Sequence, residues 1–411
     1  MKKRNDEENN ELKCSFCKRG QNETGGLIHG YDGYICEDCV LAIADAVYNI
    51  RKKRKENNIS LGTIVQNTPA EFKSELDKYV IGQEYAKKTV SVAIYNHYKR
   101  IKYNLENKNK IGKTNLLFFG PTGVGKTFLA EIIAKFINVP FAIADATSIT
   151  EAGYVGEDVE NVLLKLVENA NYNIKNAELG IIYIDEIDKI AKSSDNPSIT
   201  RDVSGEGVQQ ALLKLIESTI ANIPPKGGRK HPDQKYIKIN TENILFIFGG
   251  AFVGLEDIVQ RRIGKKTLGF GQEIIPKGEY RDISKAKPED FVKYGLIPEF
   301  IGRIPILVPF ENLDESMLIR VMKEPKNSLL KEYQKMLSLD DCNLLWEEDA
   351  LKCIAKIVHK QKTGARGLKG IIESVLMDVM YEVPSIKGKK KCVVNKKSIK
   401  EGNPLEIIKV D

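Results

Sequence analysis

The segment GPTGVGKT at residues 120–127 constrains the fold of this 411-residue chain more than any other feature. It fits the phosphate-loop pattern G-x-x-x-x-G-K-[ST], between an apolar run at 115–119 and an amphipathic segment at 126–138. In this context glycine N–H groups can approach phosphates, Lys126 can reach the β- and γ-phosphates, and the Thr127 hydroxyl can ligate Mg2+. The helix N-terminus adds the positive end of its dipole. The predicted phosphate-binding residues are Gly120, Pro121, Thr122, Gly123, Val124, Gly125, Lys126 and Thr127.

Short apolar runs alternate with segments of helical spacing on both sides of this loop. The runs lie at 115–119, 140–143, 181–184 and 244–248, and the helical segments include 126–138 and 157–171. Nearly continuous apolar strands suit a parallel sheet covered on both faces. The alternation therefore predicts an α/β domain with a doubly wound parallel sheet. From about residue 312 the pattern becomes mainly helical with a few β-like stretches, which predicts a smaller α+β domain.

The apolar run at 181–184 ends in two adjacent carboxylates, Asp185 and Glu186. Asp185 can hold the Mg2+ shell, as the acid of a Walker B strand does. Glu186 can act as the general base for the water that attacks the γ-phosphate. The pair favours nucleotide hydrolysis over nucleotide sensing alone, and it argues against a small GTPase.

Four cysteines near the start, Cys14, Cys17, Cys36 and Cys39, have the spacing C-x2-C, 18 residues, C-x2-C. Two such pairs can complete the tetrahedral thiolate shell of a structural zinc site, with no open position for catalysis. Reduced free thiols are the alternative. The segment has few apolar residues, so we expect metal binding to drive its folding. The three later cysteines, Cys342, Cys353 and Cys392, are expected to be small core residues.

These patterns predict five segments. They are a flexible N-terminus (1–12), a zinc-binding module (13–49), a linker (50–66), a large domain (67–311) and a small domain (312–411).

Charge and hydropathy exclude several classes of protein. The net charge of +7 is mild, so nucleic-acid binding is not required. The longest apolar runs are far shorter than the roughly 20 residues of a membrane span. The first residues, MKKRNDEENNELK, lack the apolar stretch of a secretory signal, and the expected location is the cytoplasm.

The order of motifs along the chain resembles the ClpX family, the hexameric AAA+ unfoldases that serve the ClpP peptidase. The resemblance covers nearly the whole chain: the four cysteines, GPTGVGKT, GYVG, IDEIDK, RKH, LGF, GLIPEFIGR and GARGL. It implies that Arg303 is an arginine finger reaching the γ-phosphate of a neighbouring subunit, and that Arg366 is the sensor-2 arginine. It also implies that the segment YVIG, with Val80 and Ile81, packs on adenine.

The resemblance also implies loops that handle polypeptides. GYVG matches a pore loop that grips substrate, and residues 193–206 resemble a second pore loop. RKH matches a loop at the pore entrance, and LGF resembles a tripeptide that docks into peptidase clefts. The residues concerned are Gly153, Tyr154, Val155 and Gly156; Arg229, Lys230 and His231; and Leu268, Gly269 and Phe270. Residues 243–250 resemble the sensor-1 strand, but Gly249 and Gly250 stand where many AAA+ proteins keep a polar side chain, so no residue is assigned to sensor 1.

The function implied is an ATP-dependent protein unfoldase that is not itself a peptidase. It would capture tagged or specific proteins, translocate them through the pore of a homohexamer and deliver them to a ClpP-type peptidase, with adaptor proteins as further partners. Its cofactors would be ATP, Mg2+ and structural Zn2+. The alternatives are an HslU-type unfoldase, a zinc-finger AAA+ remodeller of nucleic acids and a non-hydrolysing scaffold. The zinc module and LGF argue against an HslU-type unfoldase. The small number of aromatic residues that could stack on bases argues against a nucleic-acid remodeller. Lys126, Asp185 and Glu186 argue against a non-hydrolysing scaffold.

Overall fold

The structure is a computed structural model that describes residues 12–24, 26–44, 66–150, 157–191, 205–217, 219–224, 236–264, 283–400 and 407–409. The chain divides into two compact units, Met1–Ile59 and Ser60–Asp411. The predicted pore loop at 153–156, the RKH loop at 229–231 and the LGF loop at 268–270 lie outside the described residues. Within the described residues, none of the helices is both long and apolar enough to cross a membrane.

The first unit contains a small antiparallel hairpin, β1 (Leu27–His29) and β2 (Tyr34–Cys36). Leu27 pairs with Cys36, so the hairpin places the third cysteine at the end of a strand. A backbone bridge between Lys13 and Gly20 closes the loop that carries the first two cysteines.

The second unit begins with the large domain, whose elements alternate as the sequence predicts. Its helices are α1 (Pro69–Asp77), α2 (Glu84–Glu106), α3 (Lys126–Ile137), α4 (Glu160–Asn169), α5 (Ile174–Ala177), α6 (Glu206–Ile216), α7 (Leu255–Gly264), α8 (Pro288–Tyr294) and α9 (Pro298–Gly302). Its strands are β3 (Leu116–Phe119), β4 (Phe141–Asp145), β5 (Ile149–Thr150), β6 (Glu157–Asp158), β7 (Ile181–Asp185), β8 (Ile220–Ile223), β9 (Ile237–Asn240), β10 (Leu245–Gly250) and β11 (Ile306–Pro309).

Five of these strands form one parallel sheet in the order β11-β3-β10-β7-β4. The predicted strands are confirmed, and β11 is an additional edge strand that pairs with β3. The segment predicted as one helix at 157–171 is instead the short strand β6 followed by α4, because residues 157 and 158 pair with β5.

Both faces of the sheet are covered, as expected for apolar parallel strands. Ile182 and Ile184 of β7 belong to a buried cluster that includes Leu163 and Val167 of α4. On the other face, α3 packs against β7 and β10. The phosphate loop and the carboxyl ends of β7 and β10 therefore meet at one edge of the sheet.

The first helix shows how local sequence sets an element boundary. The Thr68 side chain accepts a hydrogen bond from the backbone of Glu71, and the Glu71 carboxylate accepts one from the backbone of Thr68 at 2.6 Å. This capping box, with Pro69 at the first helical position, satisfies otherwise unpaired N–H groups. The Thr68 N–H and the Thr68 hydroxyl both donate to Glu71 Oε2, and these two hydrogen bonds lower the pKa of Glu71.

The small domain is mainly helical with one mixed sheet, which confirms the predicted α+β class. Its elements are α10 (Glu315–Lys323), α11 (Leu329–Ser338), β12 (Cys342–Trp346), α12 (Glu348–Gln361), α13 (Arg366–Glu382), β13 (Lys390–Val394), α14 (Lys396–Lys400) and β14 (Ile407–Lys409). Strand β13 pairs parallel to β12 and antiparallel to β14. Cys342, Cys353 and Cys392 are buried here, as predicted.

Candidate functional site

The phosphate loop joins β3 to α3 with a backbone that leaves the start of the helix open. Gly123 and Gly125 have φ values of 73° and 97°, in the left-handed region that favours glycine. Helix α3 has no side-chain cap at its N-terminus. Its first N–H groups and the dipole are therefore available to an anion, as phosphate binding requires.

Lys126 lies in this loop with its amine almost withdrawn from solvent. Its Nζ donates to the carbonyl oxygens of Gly120 at 2.7 Å and Pro121 at 2.8 Å. Burial lowers the pKa of Lys126 to about 8. The negative charges of Asp185 and Asp188 act in the opposite direction and raise this pKa, but burial has the larger effect. The amine can exchange these carbonyl contacts for phosphate oxygens, which are stronger partners because they are charged.

Thr127 and Asp185 are in direct contact, although one opens α3 and the other ends β7. The Thr127 hydroxyl donates to Asp185 Oδ2 at 2.9 Å. Mg2+ prefers oxygen ligands and usually takes one or two carboxylates together with substrate phosphates. The donor set of a hydroxyl and a carboxylate beside the phosphate loop fits Mg2+ bound with ATP.

Glu186 follows Asp185 and has a left-handed backbone with φ of 55°. Its N–H donates to Asp185 Oδ1 at 2.9 Å, and its own carboxylate is exposed to the same pocket. A non-glycine residue in this region of φ/ψ space is uncommon and is found at functional sites. The turn thus directs the two carboxylates to different places: the Asp185 carboxylate contacts Thr127, and the Glu186 carboxylate faces the open pocket.

One pocket of about 600 Å3 connects these groups. Its polar side carries the phosphate loop and the two carboxylates. Its other side carries residues of the small domain and its approach, including Val321, Leu329 and Arg366. A pocket that combines charged groups with apolar side chains suits a nucleotide, whose phosphates are charged and whose base is largely apolar.

The segment predicted to pack on adenine lines this pocket through Tyr79, which precedes Val80 and Ile81. Tyr79 lines the pocket, whereas Val80 and Ile81 are buried. Contact of Val80 and Ile81 with a base stays a prediction.

The two predicted arginines occupy different places. Arg366 lines the pocket, and its positive charge contributes to lowering the pKa of Lys126. Arg303 is exposed and pairs with Glu217, with Nη2 3.0 Å from Oε1, and it is not among the lining residues of the pocket. This arrangement leaves the Arg303 guanidinium accessible from outside the chain.

The sequence did not single out two other residues near the site. Asp188 is buried and accepts a hydrogen bond from the Ala251 N–H at 3.1 Å, which ties the end of β10 to the turn after β7. Tyr183 is fully buried two residues before Asp185. A polar residue inside an apolar strand, on the same face as a predicted metal ligand, is the signal that could have identified Tyr183.

The four predicted zinc ligands converge in the first unit. The Sγ atoms of Cys14, Cys17, Cys36 and Cys39 all lie within 4.8 Å of one another. Thiolates around one tetrahedral zinc are about 3.8 Å apart, and Sγ of Cys17 and Cys36 are 3.7 Å apart. Backbone hydrogen bonds, the largest from Cys17, lower the pKa of Cys14 to about 6, which favours the thiolate that zinc needs.

Models of three protein families match successive parts of the chain. Residues 12–48 match a "ClpX C4-type zinc finger", residues 112–307 an "AAA domain (Cdc48 subfamily)", and residues 313–394 the "C-terminal, D2-small domain, of ClpB protein". The zinc-finger match contains all four clustered cysteines, and the AAA match contains the phosphate loop and both carboxylates.

A curated relative extends the match to almost the full length. The chain is 53% identical over 396 residues to the "ATP-dependent Clp protease ATP-binding subunit ClpX" of Treponema denticola, covering 94% of each chain. Identity of this extent, together with the zinc-finger and AAA matches, shows that this chain belongs to the ClpX family of AAA+ ATPases.

Proposed function

We propose that the chain uses ATP hydrolysis to unfold proteins and to pass them through the pore of a homohexamer into a ClpP-type peptidase. One observation carries the ATP-driven part of this proposal: Lys126, Asp185, Glu186 and Arg366 line a single pocket between the phosphate loop and the small domain. The relative in Treponema denticola is named as a subunit of an ATP-dependent Clp protease, which supports the peptidase partner.

In the proposed mechanism each residue has a distinct task. Lys126 binds the β- and γ-phosphates, while Thr127 and Asp185 hold Mg2+, which neutralises developing phosphate charge when bound. Glu186 takes the proton of the attacking water as general base. Their present contacts are short and local, so ATP can replace the carbonyl partners of Lys126 without moving a helix.

In this proposal Arg366 couples ATP hydrolysis to movement of the small domain. It opens α13 of the small domain and faces the same pocket as Lys126, so loss of the γ-phosphate changes the charge that it meets. Arg303 acts on the nucleotide of a neighbouring subunit. The exposed ion pair of Arg303 with Glu217 stabilises the chain by about 0–1 kcal/mol, so Arg303 can leave Glu217 readily and bind a phosphate instead.

The polypeptide-handling residues of the proposal rest on the sequence. Tyr154 and Val155, between Gly153 and Gly156, grip the polypeptide by bulk and apolar surface, and Arg229, Lys230 and His231 attract acidic groups at the entrance. The apolar pair of Leu268 and Phe270, separated by Gly269, docks on the peptidase.

The test is degradation of a tagged fluorescent protein with ATP, in the presence and absence of a ClpP-type peptidase. Loss of fluorescence that needs ATP, with proteolysis only when the peptidase is added, is the expected result. Tyr154→Ala should consume ATP but unfold poorly, and Phe270→Ala should unfold but not deliver. ATP hydrolysis stimulated by DNA and not by polypeptide would instead favour a nucleic-acid remodeller.

A further inference from the structure

The end of β10 lacks the polar side chain that this position carries in many AAA+ proteins, and the structure shows what occupies its space. A Cβ atom placed on Gly249 would lie 1.9 Å from the Tyr183 hydroxyl oxygen and 2.6 Å from Cζ. No side chain fits at residue 249 while Tyr183 keeps its position. The glycine and the tyrosine are therefore complementary in shape, across two adjacent strands.

The register of the sheet explains this contact. Ile247 of β10 is paired with Tyr183 of β7, and Gly249 follows two residues later on the same face. The Tyr183 ring packs beside Phe118 of β3, with ring centroids 6.2 Å apart, and its phenol points along the strands toward the nucleotide edge of the sheet.

The phenol ends at the carboxylate predicted to hold Mg2+. The Tyr183 hydroxyl donates to Asp185 Oδ1 at 3.4 Å, the same oxygen that accepts the Glu186 N–H at 2.9 Å. The other oxygen, Oδ2, accepts the Thr127 hydroxyl. A tyrosine phenol is a neutral donor at physiological pH.

We propose that the Tyr183 hydroxyl is a positioning group that takes the place of the missing polar side chain on β10. Together with the Glu186 N–H it holds Oδ1 of Asp185, which leaves Oδ2 directed at Thr127 and the Mg2+ position. This role deepens the ATP site and rests on the proposed function of Asp185. It acts on the orientation of a metal ligand, and Tyr183 itself touches no phosphate.

The competing explanation is that Tyr183 only packs against its neighbours. The substitution Tyr183→Phe distinguishes this explanation from a positioning role of the hydroxyl. Phenylalanine keeps the ring against Phe118 and Gly249 and removes only the hydroxyl. Tyr98→Phe is a matched control, because Tyr98 is also fully buried and its hydroxyl donates to the Leu179 carbonyl at 2.9 Å, away from the pocket.

The experiment uses the full chain and measures binding of a fluorescent ATP analogue while Mg2+ is titrated, beside ATP turnover and thermal unfolding without nucleotide. We expect Tyr183→Phe to raise the Mg2+ concentration for half-maximal binding by about fivefold to tenfold, since the hydrogen bond that is lost is long, at 3.4 Å, and contributes as an ordinary hydrogen bond does. Analogue binding without Mg2+ should stay within about twofold of the parent, because the hydroxyl acts on the metal ligand. Tyr98→Phe should leave the Mg2+ dependence unchanged.

Equal Mg2+ dependence in Tyr183→Phe and the parent would overturn the proposal, whether or not the unfolding temperature falls. An equal shift in Tyr98→Phe would overturn it as well, because loss of any buried hydroxyl would then suffice. If the parent shows no Mg2+-dependent nucleotide binding, the proposed ATP site itself is wrong, so the two failures are distinguishable.

Discussion

At the scale of single residues, the site depends on charged groups placed where water is scarce. Lys126 is 8% exposed, and burial is the largest cause of its lowered pKa. The groups whose charges act on it are Asp185, Asp188 and Arg366, from the ends of β7 and α13. Bound phosphate adds negative charge and thereby favours the protonated amine.

ATP affinity should therefore depend on pH through Lys126. Its pKa is about 8 without nucleotide and higher with nucleotide, so binding takes up a proton above about pH 8. Affinity should be constant below that pH and fall above it, by up to about tenfold per pH unit. Equilibrium binding between pH 7 and 9.5 measures this slope. Lys126→Arg, which stays charged, should bind with no such slope, and an equal slope in Lys126→Arg would contradict the assignment.

Glu186→Gln should bind ATP with near-parental affinity and hydrolyse it at least about 100-fold more slowly. Glutamine keeps the size of the side chain but cannot accept the proton of the attacking water. Nucleotide binding and phosphate release are measured on the same preparation. Glu168→Gln, an exposed change on α4, is the control, and comparable hydrolysis by Glu186→Gln and this control would contradict the general-base role.

At the scale of elements, the phosphate loop and α13 meet through their backbones. The Ala365 N–H donates to the Gly123 carbonyl at 2.9 Å. A Cβ atom on Gly364 would lie 2.8 Å from the Gly123 carbonyl, and Gly364 has φ of 60°. Only glycine allows this approach without strain. The small domain thus contacts the loop predicted to bind phosphate, so we expect bound nucleotide to affect the position of α13.

Gly364→Ala should weaken this contact, lower the free energy of unfolding by about 1–3 kcal/mol and reduce ATP turnover. Gly370→Ala, in α13 itself, is a matched control, because its Cβ would meet no atom within 4 Å. Alanine at that exposed helical position should stabilise by up to about 1 kcal/mol. Denaturant unfolding and ATPase rates test both, and a Gly364→Ala variant as stable and active as Gly370→Ala would show that the contact is dispensable.

At the scale of the whole molecule, the chain contains parts that depend on different sources of stability. We expect the cysteine cluster to rely on metal, since few of its apolar side chains are buried, whereas the large domain has an extensive buried core. The two should therefore respond separately to loss of zinc.

Cys36→Ser should abolish zinc binding and unfold the cysteine cluster while ATP hydrolysis persists. Zinc content, proteolysis of residues 12–44 and ATPase activity are measured together. Cys353→Ala, which removes a buried thiol from the small domain, should retain zinc. Loss of all hydrolysis in Cys36→Ser, with Cys353→Ala active, would show that the ATPase depends on the zinc module.

Arg303→Ala should reduce ATP hydrolysis by about 10^3-fold or more, with binding largely intact, if Arg303 acts on a neighbour as arginine fingers do. Mixing Arg303→Ala with Glu186→Gln chains should recover activity, because some interfaces then combine an intact Arg303 with an intact Glu186. Titrating the two variants against each other measures the recovery. Mixtures that never exceed the activity of either variant alone would contradict the assignment of Arg303 to the site of a neighbouring subunit.

Some sites of this protein could be predicted from the sequence alone, because the residues that their chemistry needs lie close together in the chain. The phosphate loop needs its glycines, Lys126 and Thr127 in one turn, and each cysteine pair needs two residues between its thiols. Continuous apolar runs likewise indicated the parallel sheet, because strands covered on both faces have no polar alternation. These signals span a few residues, so they can be recognised without knowing the fold.

Contacts between distant segments became visible only in the folded chain. The fold placed β11 beside β3, Gly364 against Gly123, Arg303 beside Glu217 and the Tyr183 phenol over Gly249. The two glycines at the end of β10 had no evident meaning in the sequence, because the side chains that fill the space beside them lie elsewhere in the chain: Tyr183 of β7 beside Gly249, and Phe252 and Asp188 beside Gly250. Strand order and side-chain complementarity are non-local, and no periodicity along the chain encodes which strands become neighbours.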